Sequence, residues 1–236
     1  MPQTDAIQLS RISLRFAESD EGPLFEDFSL GFAAGKITVL MGGSGSGKTT
    51  LARIASGRIA APSGIIERSS SLSAPADCVY VDQDAWNSVF PYRTVEQNLN
   101  WTLAHLGWKS EIASRRVAHL LSAFDLAHKK AAYPRDLSGG QRQRLALLRC
   151  LVWEPKCMIM DESLSALDET TKNKVIDLLI GEVRTRGMTL VHVTHNPIEA
   201  LALADHIVVI GGRPARIQAE FEGGFQETTR TRTAEF

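Results

Sequence analysis

A glycine-rich loop constrains this chain more than any other part of its sequence. It lies between a strand-like run from Lys36 to Met41 and a helix-like run from Thr50 to Ser56, and it fits the pattern G-x-x-x-x-G-K-[ST] with Gly42, Gly43, Ser44, Gly45, Ser46, Gly47, Lys48 and Thr49. Glycines let consecutive backbone N–H groups turn toward a phosphate at the positive end of a helix. Lys48 would reach the β- and γ-phosphates, and the Thr49 hydroxyl would bind Mg²⁺. The pattern predicts a nucleoside triphosphate site that includes Thr50; the alternative is a Gly/Ser-rich turn without a ligand.

The composition indicates one globular chain that needs no disulfide or metal to fold. It has 236 residues, 44% hydrophobic content and a net charge of −1, which gives no long-range attraction to nucleic acid or anionic lipid. The basic residues Arg142, Arg144 and Arg149 are expected to form a solvated helix face. No apolar stretch approaches the ~20 residues of a spanning helix, so a membrane role would require a partner. The three cysteines share no metal-ligand spacing and predict free thiols in a reducing compartment.

The hydrophobic pattern predicts an α/β fold with two kinds of strand. Apolar and polar residues roughly alternate from Ile7 to Phe16 and from Phe25 to Phe32, which is typical of half-buried antiparallel strands. Short runs that are apolar on both faces predict buried parallel strands. These runs are Lys36 to Met41, Cys78 to Val81, Cys157 to Met160 and Thr189 to Thr194.

A helical subdomain is predicted within the α/β core. We assign residues 1–85 and 155–226 to the core, 86–154 to the inserted subdomain, and 227–236 to a disordered tail. The insert is read as helices Thr94 to Leu106, Lys109 to Leu126 and Gln141 to Trp153, with Ser138 capping the last of them. A later helix from Glu169 to Arg186 is expected to end at Gly187.

Two carboxylates end the apolar strand that begins at Cys157. Asp161 would hold Mg²⁺ through water, and Glu162 would orient or deprotonate the attacking water as a general base. The alternative is an ordinary pair of acidic residues at a helix N-terminus.

A pentapeptide before the third helix of the insert indicates the family. It reads Leu137-Ser138-Gly139-Gly140-Gln141, and it resembles the signature sequence of ATP-binding cassette (ABC) ATPases. The resemblance extends over almost the whole chain. It covers the glycine-rich loop, Gln83, the signature, Asp161 with Glu162, Ser165 to Asp168, and His195. It implies a phosphate-loop NTPase core, with a mostly parallel sheet and an N-terminal antiparallel β subdomain, into which an α-helical subdomain is inserted.

The resemblance also implies roles for single residues. Gln83 would sense Mg²⁺ and the attacking water, His195 would contact the γ-phosphate, and Asp168 would act across a dimer interface. An aromatic residue should stack on adenine, for which Phe16 is the candidate and Phe25 the rival. We assign this role to His195 only because of its position in the family pattern. A histidine at a strand end is more often structural, as we expect of His192.

The dimer implied by the resemblance pairs two copies head to tail. Ser138, Gly139, Gly140 and Gln141 of one copy would bind the γ-phosphate of ATP held by the other, so that ATP closes the dimer and hydrolysis opens it. Two residues depart from the family pattern, Ser163 for the usual Pro and Asn196 for the common Asp, and neither replaces a group assigned to the chemistry.

The stretch Phe90 to Asn98 is similar to the permease-docking region of import ATPases for nitrate, sulfonate, taurine or thiamine-type substrates. With Gln83 it would receive a separate integral membrane permease, and exposed Phe90 and Tyr92 would suit this contact. The implied protein is a peripheral ATPase at the cytoplasmic face of the inner membrane, with a solute-binding protein in the full system and no nucleic acid.

The alternatives are a soluble ABC ATPase acting on a macromolecule, an exporter or lipoprotein-release subunit, and a phosphate-loop GTPase or kinase. For a GTPase, Asn173 to Ile176 lacks the Asp of the guanine-reading N-K-x-D motif.

Overall fold

The structure is a computed structural model that describes residues 5–16, 22–61, 63–105 and 107–223. Its strands are β1 (Asp5–Leu14), β2 (Phe25–Ala33), β3 (Ile37–Met41), β4 (Ser63–Arg68), β5 (Cys78–Val81), β6 (Cys157–Asp161), β7 (Thr189–Val193), β8 (His206–Gly211) and β9 (Arg216–Glu222). Its helices are α1 (Lys48–Ser56), α2 (Val95–His105), α3 (Ser110–Ala123), α4 (Gly139–Leu151), α5 (Glu169–Arg186) and α6 (Pro197–Leu203).

The larger sheet contains all of the predicted buried strands. Its order is β5-β6-β7-β3-β8-β9, with β6, β7, β3 and β8 paired in parallel and β9 antiparallel to β8. Every residue of β6 and β7 is buried, which explains why their sequences are mostly apolar on both faces. The predicted parallel α/β core is therefore confirmed. The pair β8 and β9 was not predicted from the sequence.

The smaller sheet is antiparallel, with the order β2-β1-β4. Leu9 of β1 faces Leu30 of β2 on one side and Ile66 of β4 on the other. The sequence predicted the first two strands but not β4. Five of the six residues of β4 are exposed, so its sequence shows no alternation that would mark a strand. Most of the acidic connection between β1 and β2, residues 17–21, lies outside the described residues.

The chain forms two compact units. The first consists of the described residues within Met1–Tyr80, Lys156–Asp161 and Ile180–Phe236, and its hydrophobic core joins both sheets to α1 through residues such as Ile7, Phe32, Leu40, Leu51 and Ile159. The second consists of Val81–Pro155 and Glu162–Leu179, and it contains α2, α3, α4 and the first part of α5.

The helices α2 to α5 begin and end close to the predicted positions. The Glu169–Arg186 helix ends as predicted before Gly187, which has a φ of +66°. The helix predicted from Lys109 to Leu126 is shorter and ends at Ala123. Residue 106 and the predicted tail, 227–236, lie outside the described residues. Within the described part of the chain, no helix combines the length and the apolar character needed to cross a bilayer.

Candidate nucleotide site

The glycine-rich loop follows β3 and leads directly into α1, and its path depends on two glycines. Gly42 has a φ of +150° and Gly47 a φ of +92°. A Cβ atom on Gly42 would lie 2.1 Å from the carbonyl oxygen of Ile210, and one on Gly47 would lie 2.7 Å from the Phe25 ring. Because both distances are far inside van der Waals contact, any side chain at either position would displace the loop.

The loop collects polar groups that a phosphate could satisfy. Lys48 is only 7% exposed, and its ammonium donates to the carbonyl oxygens of Gly42 and Gly43 at 2.9 and 2.8 Å. The hydroxyl of Ser46 is buried and has no hydrogen-bond partner among the described residues. No side chain caps the N-terminus of α1 at Gly47. A lysine, an orphaned hydroxyl and an open helix N-terminus together form an environment that fits an anion.

The hydroxyl of Thr49 and the carboxylate of Asp161 meet below this loop. Thr49 Oγ1 donates to Asp161 Oδ1 at 3.0 Å, and Asp161 is fully buried at the end of β6. The described residues contain no cluster of three or more His, Cys, Asp or Glu side chains suited to a metal. A hydroxyl with one carboxylate still fits Mg²⁺, which usually takes one or two protein ligands and completes its shell with phosphate oxygens and water.

Tyr80 also contacts Asp161, and no pattern in the sequence indicated this contact. Its hydroxyl donates to Asp161 Oδ2 at 2.8 Å, and the Arg58 guanidinium lies 4.5 Å from the centre of its ring. Burial, followed by the negative charge of Asp161, raises the pKa of Tyr80 well above its usual value. The phenol therefore keeps its proton and acts as a donor.

His195 follows β7, which pairs with β6 on one side and β3 on the other. The carboxyl ends of these parallel strands share one edge of the sheet, so the glycine-rich loop, Asp161 and exposed His195 all lie at that edge. His192 is fully buried and contacts Glu199 at 3.4 Å, in line with the structural role expected of it. Glu199 also accepts a hydrogen bond from Thr194 at 2.8 Å.

Asn196, one of the two departures from the family pattern, has a clear structural use. Its side-chain oxygen accepts hydrogen bonds from the backbone N–H groups of Ile198 and Glu199, so it caps α6. Asn and Asp are equally good helix caps, and the substitution therefore preserves this turn.

In the second unit, Glu162 has an unusual backbone and lies beside Gln83. Its φ is +46°, in the left-handed region that non-glycine residues rarely adopt and that is often found at functional sites. Gln83 Nε2 and Glu162 Oε2 are 3.4 Å apart. The next residue, Ser163, is buried, and its hydroxyl has no partner among the described residues.

Ser138 caps α4, as the sequence predicted. Its hydroxyl accepts from the Gln141 N–H at 3.2 Å, and the Gln141 side chain accepts from the Ser138 N–H at 3.0 Å, which completes a capping box. Ser138 and Gly139 are exposed, whereas a Cβ on Gly140 would lie 3.0 Å from the Ala166 carbonyl oxygen. The signature thus presents a helix N-terminus on the surface of its unit.

Asp168 has a local role that was not predicted. Its carboxylate accepts from the Thr171 N–H at 3.0 Å at the start of α5, and this hydrogen bond lowers the pKa of Asp168 below its usual value. The structure therefore shows a helix cap at this position, and the predicted role across a dimer interface stays a prediction.

The two aromatic candidates for adenine differ in exposure. Phe25 is fully buried and packs on Phe28 with ring centres 5.4 Å apart. Phe16 is 46% exposed. Phe16 is the more exposed of the two, and stacking on the base stays a prediction for this residue.

The predicted docking stretch has one strongly exposed aromatic residue, Tyr92, which is 92% exposed. Phe90 is not exposed as expected: it is half-buried, with Trp101 at 4.6 Å and the Arg149 guanidinium at 4.0 Å from its ring centre. Asn98 is fully buried and bonds to the backbone of this stretch.

The expectation that the arginines of α4 form a solvated face is wrong. Arg142 lies 4.1 Å from the ring centre of Trp86, and Arg149 donates to the carbonyl oxygen of Ser88. Arg144 is 9% exposed and donates to the Phe124 carbonyl oxygen at 2.8 Å. The planar guanidinium can stack on aromatic rings and bond to carbonyl groups, which allows these charges to be buried. Burial in turn lowers the pKa of Arg149.

The fold and the loop between β3 and α1 define a phosphate-loop protein of the α/β class. Within this class, the chain belongs to the ABC transporter family, whose pattern matches residues 25–165. This membership removes the GTPase and kinase alternatives.

Named relatives cover most of the chain. It is 34% identical over 225 residues to the taurine import ATP-binding protein TauB of Jannaschia sp. (strain CCS1), covering 94% of this chain and 83% of that protein. It is 36% identical over 205 residues to the aliphatic sulfonates import ATP-binding protein SsuB 1 of Paracoccus denitrificans (strain Pd 1222), covering 87% and 79%. The ATP-binding cassette MJ0796, solved as a dimer in a post-hydrolysis state with ADP and Pi, has the same fold. The TM-score is 0.80 at 24% identity, and the match covers 92% of this chain and 98% of that one.

Proposed function

We propose that this chain is the ATP-hydrolysing subunit of an ABC importer and drives a separate membrane permease. The observation that supports this most directly is the hydrogen bond of 3.0 Å from the Thr49 hydroxyl to the Asp161 carboxylate, next to the glycine-rich loop. This is where a phosphate-loop enzyme holds the Mg²⁺ that accompanies ATP. The relatives named as import ATP-binding proteins support the transport direction.

Separate residues of the site would bind the phosphates and the Mg²⁺ ion. The loop N–H groups and Lys48 would hold the β- and γ-phosphates, and Mg²⁺ would be held by Thr49, by Asp161 through water, and by Gln83. Bound there, Mg²⁺ would neutralise charge that develops on the phosphate oxygens.

Glu162 would accept a proton from water while the water oxygen attacks the γ-phosphorus. The bond from that phosphorus to the bridging oxygen then breaks, leaving ADP and phosphate. His195 would contact the γ-phosphate, and Phe16 would stack on adenine.

We infer a head-to-tail homodimer with two such sites. The exposed N-terminus of α4, at Ser138 to Gln141, would fit an anion. In the dimer it would bind the γ-phosphate held by the second copy, and Asp168 would lie at the interface. ATP would favour the closed dimer because it contacts both copies only there, and hydrolysis would remove that preference. The dimer of MJ0796 with ADP and Pi supports this arrangement.

The permease is proposed to bind near Gln83 and the Phe90 to Asn98 stretch. Tyr92 would provide the exposed aromatic anchor, since tyrosine is enriched at protein interfaces. The chain would then be a peripheral subunit on the cytoplasmic face of the inner membrane, in a system that also includes a solute-binding protein.

Dimer formation can be tested with Glu162→Gln, which should bind ATP without hydrolysing it. Light scattering after size-exclusion chromatography should show a dimer with Mg²⁺ and ATP and a monomer with ADP. Adding Ser138→Arg should abolish the dimer while fluorescent ATP still binds. Adding Ser122→Arg, at an exposed position of α3 in the same unit, should not. A Glu162→Gln protein that stays monomeric with ATP at every concentration would rule the dimer out.

The proposed role in import through a permease needs a separate test. A permease encoded in the same operon should co-purify with the wild-type chain and with Tyr133→Ala, but only weakly with Tyr92→Ala. Both tyrosines are exposed residues of the second unit. ATP-dependent uptake by the reconstituted complex would support import. Absence of a complex combined with binding to nucleic acid would favour the macromolecule alternative, and outward transport would favour the exporter.

A further inference from the structure

Asp161 is held by two hydroxyl donors, one on each carboxylate oxygen. Thr49 bonds to Oδ1 at 3.0 Å, and Tyr80 bonds to Oδ2 at 2.8 Å. Asp161 is fully buried and Tyr80 is 6% exposed, so water cannot easily replace the phenol as a partner. A carboxylate that ends a strand can otherwise rotate about its side-chain torsion, and the Tyr80 bond restrains that rotation.

The two donors differ in whether their hydroxyl groups could contact Mg²⁺ directly. Thr49 opens the helix after the glycine-rich loop, and its hydroxyl can move from Asp161 to Mg²⁺. Tyr80 belongs to β5, the sheet neighbour of β6. The Asp161 carboxylate would lie between its hydroxyl and the phosphates, so the hydroxyl would not contact them. Its ring lies 4.5 Å from the Arg58 guanidinium, which limits movement of the phenol.

We propose that Tyr80 is a positioning residue for the magnesium site: it anchors Oδ2 of Asp161 so that Oδ1 faces Thr49 and the Mg²⁺ of bound Mg·ATP. The inference rests on the proposed ATPase function and extends it to a residue outside the family motifs identified in the sequence. Residues that orient a metal ligand commonly change metal affinity by about 10- to 100-fold when they are removed.

The direction of the effect follows from burial. Replacing Tyr80 by Phe removes the hydroxyl that donates to Oδ2 in a place that excludes water, and the donor that remains nearby is Arg53, whose side chain also bonds to the Tyr80 hydroxyl. The carboxylate regains some charge density, which by itself would favour a cation. However, the Asp161 carboxylate can now rotate toward another donor, so Oδ1 no longer keeps the orientation that Mg²⁺ binding requires. Because Mg²⁺ demands near-ideal octahedral geometry, we expect the loss of orientation to dominate.

The experiment measures binding of a fluorescent, non-hydrolysable ATP analogue as Mg²⁺ is titrated. For Tyr80→Phe, the Mg²⁺ concentration at half-maximal enhancement of analogue binding should rise about tenfold. Affinity for the analogue in EDTA should stay within twofold of wild type. Tyr133→Phe, at a partly exposed tyrosine of the second unit, should match wild type throughout.

Each outcome has a separate meaning. An unchanged or lower Mg²⁺ midpoint in Tyr80→Phe would overturn the positioning role. Weaker analogue binding in EDTA would also overturn it, because Tyr80 would then support the glycine-rich loop or the fold in general. Failure of the wild-type chain to bind the analogue would contradict the proposed ATPase function instead, so the two proposals fail in distinguishable ways.

Discussion

Asn98 offers a quantitative test of how the Phe90 to Asn98 stretch keeps its shape. Its side-chain oxygen accepts from the Phe90 N–H at 2.8 Å. Its amide group donates to the carbonyl oxygens of Phe90, Arg93 and Thr94 at 3.1, 3.0 and 3.0 Å. The two amide hydrogens are therefore shared among three acceptors. Asn98 is fully buried, so in Asn98→Ala no water would replace these bonds.

The expected cost follows from counting these bonds. One accepted bond and two donated hydrogens contribute about 1 kcal/mol each, or about 3 kcal/mol together. Alanine has a helix propensity higher by about 0.6 kcal/mol, which offsets part of the loss. We therefore expect Asn98→Ala to lower the free energy of unfolding of the second unit by about 2–3 kcal/mol. It should also weaken permease binding while leaving nucleotide binding unchanged.

Tryptophan fluorescence during urea unfolding measures this effect in the correct unit. The four tryptophans, Trp86, Trp101, Trp108 and Trp153, all lie in the second unit. Asn100→Ala is a matched control, because Asn100 is exposed in the same helix, and it should change stability by less than about 0.7 kcal/mol. Equal unfolding midpoints for the two variants would refute the reasoning, since they would mean that the Asn98 bonds contribute nothing net.

Three further predictions concern caps, glycines and an unpaired hydroxyl. Ser163→Ala should raise the stability of the second unit by about 1 kcal/mol in the same assay, because it removes a buried hydroxyl that has no partner among the described residues; a destabilised variant would contradict this. Asp168 has a lowered pKa, so its cap is fully effective above the unfolded value of about 3.9 and is lost as the pH falls through the folded value. Stability measured against pH should therefore fall below pH 4 in wild type, and Asp168→Asn, which caps at any pH, should reduce that fall. Gly42→Ala should unfold at a lower temperature than Gly43→Ala, because only at Gly42 would a Cβ strike the Ile210 carbonyl oxygen; equal melting temperatures would mean that the loop relaxes freely.

Much of the fold could be read from short-range patterns. The apolar runs became strands of the larger sheet because a strand that is buried on both faces is built mostly from apolar residues. The cap at Ser138 and the end of α5 before Gly187 depend on residues that are near in sequence. By contrast, β4 is almost wholly exposed and exists because β1 offers it an edge to pair with, so no local pattern marks it.

The sequence by itself determined the glycine-rich loop, the signature and the acidic pair, because each is a run of neighbouring residues whose chemistry requires fixed spacing. Only the tertiary structure decided what these motifs contact. Tyr80 reaches Asp161 across 81 positions of the chain and Thr49 reaches it across 112. The burial of Arg149 against Phe90 likewise depends on a helix packing on a distant loop. Such contacts are set by the packing of whole elements, and a single sequence carries no local signal of which distant partner a tyrosine or an arginine will meet.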